Sequence, residues 1–138
     1  MKKDKISVII DTNLWISFLI TNDFSKLDEV LFSRKIILIF SEELRDEFLA
    51  VVGRPKFKRY FSSSNIKKVL KVIDEYAEIV LVKSNEDACR DFKDNFLLSL
   101  AVDGKADYLL TGDNDLLALN PFKDTHIVTF SAFLEKIK

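Results

Sequence analysis

The feature that most restricts this chain is a short β-branched run, Ile6 to Ile10, which has no amphipathic period and stops at Asp11. A strand that is apolar on both faces must be covered on both, and a parallel sheet between helical layers does this. The pattern returns. Ile36 to Phe40 ends at Ser41, Ile79 to Val82 reads as a short strand, Tyr108 to Thr111 as another buried strand, and Ile127 with Val128 as the last.

Helical stretches fill the intervals. One follows Asp11. Ser41, Glu42 and Glu43 open a second, in which Leu44, Phe48, Val51 and Val52 form one stripe before Gly53 and Pro55 stop it. Ile66, Val69, Leu70, Ile73 and Ala77 mark a third, with Lys67, Lys68 and Lys71 on its other side. Asp94 to Asp103 makes a fourth, ended by Gly104, and Ser131 to Ile137 a terminal one. No hairpin signal joins two strands. The expectation is an α/β fold, a three-layer α/β/α sandwich with a central parallel sheet and right-handed crossovers. Residues 1–138 read as a single domain, without repeat or linker.

Twelve Phe against three Gly and two Pro, with 31% charged residues, exclude collagen-like and disordered chains. A lone Cys89 and a lone His126 exclude an internal disulfide and the ligand set of a structural zinc site, so neither is given a role. No apolar run is long enough to span a bilayer and no export signal is visible, so a cytoplasmic protein is expected. The net charge of −1 conceals a separation. Phe48 to Ile73 contains no acid but holds Arg54, Lys56, Lys58, Arg59, Lys67, Lys68 and Lys71, whereas Glu86 to Asp115 is rich in acids. Such a chain can hold cations in one place and an anionic polymer in another.

In parallel sheets ligands bind beyond the carboxyl ends of the strands, and here those ends carry acids, Asp11 and Asp113. Two helical acids join them. At 100° per residue Asp46 points away from its stripe, Glu47 lies at the edge, and Asp94 projects into the inward face defined by Leu97, Leu98 and Ala101. Four carboxylates about 5 Å apart would repel by about 3 kcal/mol per pair at an effective dielectric of 20, so shared protons or divalent cations must neutralise them. Oxygen-only ligands favour Mg²⁺ or Mn²⁺. Asn13 and Ser17 share a helical face near Asp11, Thr111 offers a hydroxyl beside Asp113, and Asp91 and Asp115 stand near enough to be outer ligands.

These residues resemble the PIN-domain family. The resemblance rests on Asp11-Thr12-Asn13 with Ser17, Glu47 ahead of Val51-Val52-Gly53-Arg54-Pro55-Lys56-Phe57, Asp91 and Asp94 before a helix, and Thr111-Gly112-Asp113-Asn114-Asp115-Leu116-Leu117. It covers nearly the whole chain and is closest to the VapC-like toxins of bacterial toxin–antitoxin pairs. It implies a Mg²⁺- or Mn²⁺-dependent ribonuclease that dimerises and is restrained by an antitoxin. By position Asp11, Glu47, Asp94 and Asp113 match the family's acidic quartet, and Asn13, Ser17 and Thr111 its polar supports. Phe92 stands where relatives often have Pro, and bulky Leu14 and Trp15 follow the first motif.

On this reading Asp11, Asp94 and Asp113 bind metal, with Glu47 and Asp115 as further ligands, and Glu47 also helps coordinate or orient the attacking water. Arg54, Lys56, Lys58 and Arg59 hold the RNA backbone, and Trp15, Phe57 or Tyr60 offer surfaces on which bases stack. Other readings stay open. Asp11 and Asp94 also suit helix caps, Asp113-Asn114-Asp115 a turn, and the basic stretch a solvated face. An aspartyl phosphotransferase expects a second Asp where this chain has Asn13, and a phospho-receiver expects an acidic pair at Asp11. A catalytically idle PIN-like module that binds RNA or a partner remains the alternative.

Overall fold

The strand from Ile6 to Ile10 (β1) is the middle of the molecule. In the computed structural model, which describes residues 5–21 and 36–137, it is followed by α1 (Thr12–Thr21), β2 (Ile36–Phe40), α2 (Glu42–Val52) and a 3-10 turn (Pro55–Phe57). Then come α3 (Ser63–Tyr76), β3 (Ala77–Ile79), α4 (Phe92–Asp103), β4 (Tyr108–Leu110), α5 (Asn114–Leu117), β5 (His126–Val128) and α6 (Phe130–Ile137). The five strands form one sheet in the order β3-β2-β1-β4-β5, and every pairing is parallel. The expected α/β/α architecture is what forms.

Successive strand residues point to opposite faces, so the complete burial of both Val8 and Ile9 shows that β1 is covered on each side. Register places Ile6 beside Ile36 and Ile10 beside Leu110. The chain lays β2 and β3 on one flank of β1, then returns to lay β4 and β5 on the other. Strand order therefore reverses beside β1, and a crevice opens at the carboxyl ends of β1 and β4.

Local chemistry sets the helix ends. Ser41 caps α2, its hydroxyl accepting from the Leu44 N–H at 3.0 Å, and Leu44, Phe48, Val51 and Val52 are the buried stripe. The helix expected from Asp94 starts at Phe92, because Asp91 is the capping residue and accepts from the Lys93 N–H at 2.9 Å. Asp94 thus lies in the first turn, not at the cap.

Two expectations are corrected. The strand expected over Ile79 to Val82 is Ala77–Ile79. Val80 N–H still donates to Phe40 at 2.8 Å, but the Lys83 and Ser84 N–H groups turn to the Asp103 carboxylate at 2.6 and 2.8 Å, which draws the chain away from the sheet. Trp15 is not a surface for bases. It is 1% exposed, with ring centroids 6.2, 6.1 and 6.5 Å from those of Phe18, Phe40 and Phe48. Among the described residues no helix is long and apolar enough to cross a membrane.

Candidate active site

Asp11 sits one residue beyond β1, its N–H still bonded to Leu110 of β4 at 3.0 Å. That bond fixes the side chain over the crevice. One carboxylate oxygen accepts from the Asn13 N–H at 3.2 Å, a cap-like bond at the start of α1, and the other accepts from the Thr111 hydroxyl at 2.8 Å. Thr111 also accepts from the Asp113 N–H at 3.0 Å, so one hydroxyl ties the first acid to the fourth. Asp113 in turn caps α5 by accepting from the Asp115 N–H at 2.8 Å. Capping and site-forming roles coincide in these acids.

The other two acids arrive on helices. Glu47 is half-buried on α2 and accepts from the Thr12 hydroxyl at 3.2 Å, a bond between residues 35 apart in sequence. Asp94 is buried in the first turn of α4, where its carboxyl reaches Asp113 and the Cys89 thiol donates to it at 3.6 Å. A cleft of about 200 Å³ results, lined by Asp11, Glu47, Asp91, Asp94 and Asp113, with Thr12, Asn13, Val51, Arg54, Lys56, Phe57, Lys93 and Leu97.

Crowding changes how the acids hold their protons. Burial raises the Asp94 carboxyl to about 7, helped by its hydrogen bond to Asp113 and by the charges of Asp113 and Asp91, against a small opposing pull from Cys89. Asp11 is also raised, chiefly by burial and further by Asp113, while the bonds from Thr111 and Asn13 act the other way. The Asp94 carboxyl, set against Asp113, therefore holds its proton towards neutral pH.

Not every expected residue reaches the cleft. Thr111 supports Asp11 from behind, and Ser17 is exposed one turn beyond Asn13, outside the lining. Asp115 points outward, its side chain 51% exposed and 3.5 Å from Arg90. Of the basic stretch Arg54 and Lys56 line the cleft, whereas Lys58 and Arg59 are exposed beyond it. Thr12, Lys93 and the contact from Cys89 were not foreseen. For Thr12 the signal lay in the Asp-Thr-Asn motif itself, and for Lys93 in its position beside Asp94.

The donor set suits a hard divalent cation, since carboxylate oxygens surround the cleft and the sulfur of Cys89 is buried behind Asp94. Among the described residues no three carboxylates yet converge on one point at ligating distance. The Asp94 carboxyl, raised by burial and by Asp113, would release its proton on binding a cation.

A parallel sheet with carboxylates gathered at its switch point defines an α/β protein that works on a ligand held at the strand ends. The chain belongs to the PIN domain family, whose pattern matches residues 7–115. It therefore has a nuclease-like fold, in a family whose members are generally metal-dependent nucleases. The chain is 34% identical over 122 residues to an uncharacterized protein of Methanocaldococcus jannaschii, an alignment that covers 86% of this chain and 78% of the relative. No solved structure matches it.

Proposed function

We propose that the protein is a Mg²⁺- or Mn²⁺-dependent endoribonuclease that hydrolyses RNA phosphodiester bonds in this cleft. The observation that carries the reading is the meeting of Asp11, Glu47, Asp94 and Asp113 on one cleft from four separate elements. A bound divalent cation supplies Lewis acidity and a nucleophile at neutral pH. Asp11, Asp94 and Asp113 are the residues that would hold it. Glu47, fixed by Thr12, orients the attacking water, and Arg54, Lys56 and Lys93 hold the phosphate chain against the carboxylates.

Within that reading the protein is a VapC-like toxin, working in the cytoplasm as a homodimer and held inactive by a cognate antitoxin. The support for this narrower role is the order and spacing of the four motifs. The alternative, an idle module that binds RNA or a partner, draws on the carboxylates not yet being gathered around one point.

Cleavage of a mixed RNA pool by purified protein, with Mg²⁺, with Mn²⁺ and with chelator, tests the reading. Cleavage is expected only with metal, and Asp11→Asn and Asp94→Asn each lower it by roughly two orders of magnitude or more. Product ends are 5′ phosphate and 3′ hydroxyl; a 2′,3′-cyclic phosphate would sink the mechanism. RNA binding without cleavage under every metal condition would favour the idle module.

A further inference from the structure

Phe92 is the most exposed large apolar residue among those described, at 83% of its surface. It occupies the first helical position of α4, between Asp91 and Lys93, and both neighbours line the cleft, as does Asp94 one residue further. The fold makes no use of this ring. Full burial of a Phe is worth roughly 1.5–3 kcal/mol, and here almost none of that is realised.

A ring left in water beside a cleft is available to a ligand held there. Its surroundings indicate what. Arg90, Asp91 and Lys93 are all exposed and charged, so Phe92 is a flat apolar surface flanked along the chain by charges. A protein partner needs a contiguous apolar centre with several residues excluded from water. A single unstacked nucleobase needs one planar face and a cation for its phosphate. Phe92, at the edge of the cleft between two residues that line it, and Lys93, on its wall, supply that combination.

The 3-10 turn carries the same combination on another wall. Phe57 and Lys56 line the cleft there, with the Lys56 ammonium 5.1 Å from the Phe57 ring centroid. Phe57 is less free, because it is half-buried and stacked on Phe61 at 5.4 Å. We propose that Phe92 is a specificity-determining residue that stacks on an unpaired base next to the scissile phosphate, while Lys93 holds that nucleotide's phosphate. This rests on the ribonuclease reading and adds a preference to it. Substrates with an unstacked base at that position are cut, and those whose base is paired or missing are cut poorly.

The test compares the wild type with Phe92→Ala, Phe92→Leu and Phe92→Tyr in binding and cleavage of a single-stranded oligoribonucleotide carrying 2-aminopurine or an abasic site at successive positions. Thermal unfolding should be unchanged in all three variants, since the Phe92 ring is left in water. Phe92→Ala is expected to weaken binding roughly 5- to 100-fold. Phe92→Tyr restores it, and Phe92→Leu does not. One abasic position should harm the wild type and add no harm to Phe92→Ala. Equal binding by wild type and Phe92→Ala, or full rescue by Leu, overturns the proposal while leaving the nuclease standing. A change of oligomeric state in Phe92→Ala overturns it in favour of an interface between copies. A wild type that neither binds nor cleaves RNA removes both readings.

Discussion

Asp94 keeps its proton to an unusually high pH for a carboxyl group, and the consequence for stability follows from the sign. Its pKa is raised from the ordinary 3.8 to about 7, first by burial and then by Asp113 and Asp91. Between those two values the folded chain holds a proton that the unfolded chain has released. As far as this group is concerned, the metal-free protein is therefore most stable below about pH 4 and loses that contribution as pH rises towards 7, by up to about 1.4 kcal/mol per pH unit. Denaturant titrations in chelator at pH 5 and pH 7 should show the fall, and Asp94→Asn should flatten it. A saturating divalent cation should reverse it, because it binds the deprotonated form. Equal stability at both pH values, with Asp94→Asn making no difference, would mean that this carboxyl is hydrated and ionised in the folded protein.

At the scale of elements, α4 matters most, because one end carries Asp94 and the other is pinned to the sheet by Gly104. Gly104 has a φ of −88°, so its need is room and not a left-handed backbone; Lys105 takes that conformation at 51°. A Cβ on Gly104 would meet Ile39 Cγ2 at 2.7 Å and the Leu100 carbonyl at 3.0 Å. Ile39 is β-branched and buried in β2, so it has little space to yield, and Gly104→Ala should cost about 1–3 kcal/mol in urea unfolding. Gly112, beside Asp113, has nothing within 4 Å of such a Cβ, and Gly112→Ala should stay within about 0.5 kcal/mol of wild type. Equal losses at both positions would mean that a general helix or loop effect outweighs packing. The sequence showed where these elements lie because their signals are local: the β-branched run before Asp11, the hydroxyl at Ser41, the stripe that makes Asp94 face inward. It did not show the contacts that tertiary structure makes. Thr12 meets Glu47 only once α1 and α2 are packed, β3 is cut short where the Lys83 and Ser84 N–H groups donate to Asp103 some 20 residues on, and α1 is apolar on nearly every side, so no stripe distinguished the face that carries Trp15.

For the whole molecule, the separation of charge read from the sequence becomes a question of where an RNA strand runs. The acid-free stretch splits in the folded protein. Arg54 and Lys56 turn into the cleft beside the carboxylates, whereas Lys67, Lys68 and Lys71 lie exposed along α3, outside the cleft lining. A strand crossing the acids must have its phosphates neutralised at the cleft, and each such contact to a single strand contributes about 0.7 to the slope of log affinity against log salt. Replacing Arg54 and Lys56 together by Ala should lower that slope by about 1.4, measured by oligoribonucleotide binding with catalysis blocked by chelator. Replacing the three α3 lysines should change it much less. The contrast is decisive, because net charge falls further in the α3 variant than in the cleft variant. A slope that followed net charge would mean diffuse attraction to a basic face, and one that followed Arg54 and Lys56 means a strand threaded over Asp11, Asp94 and Asp113.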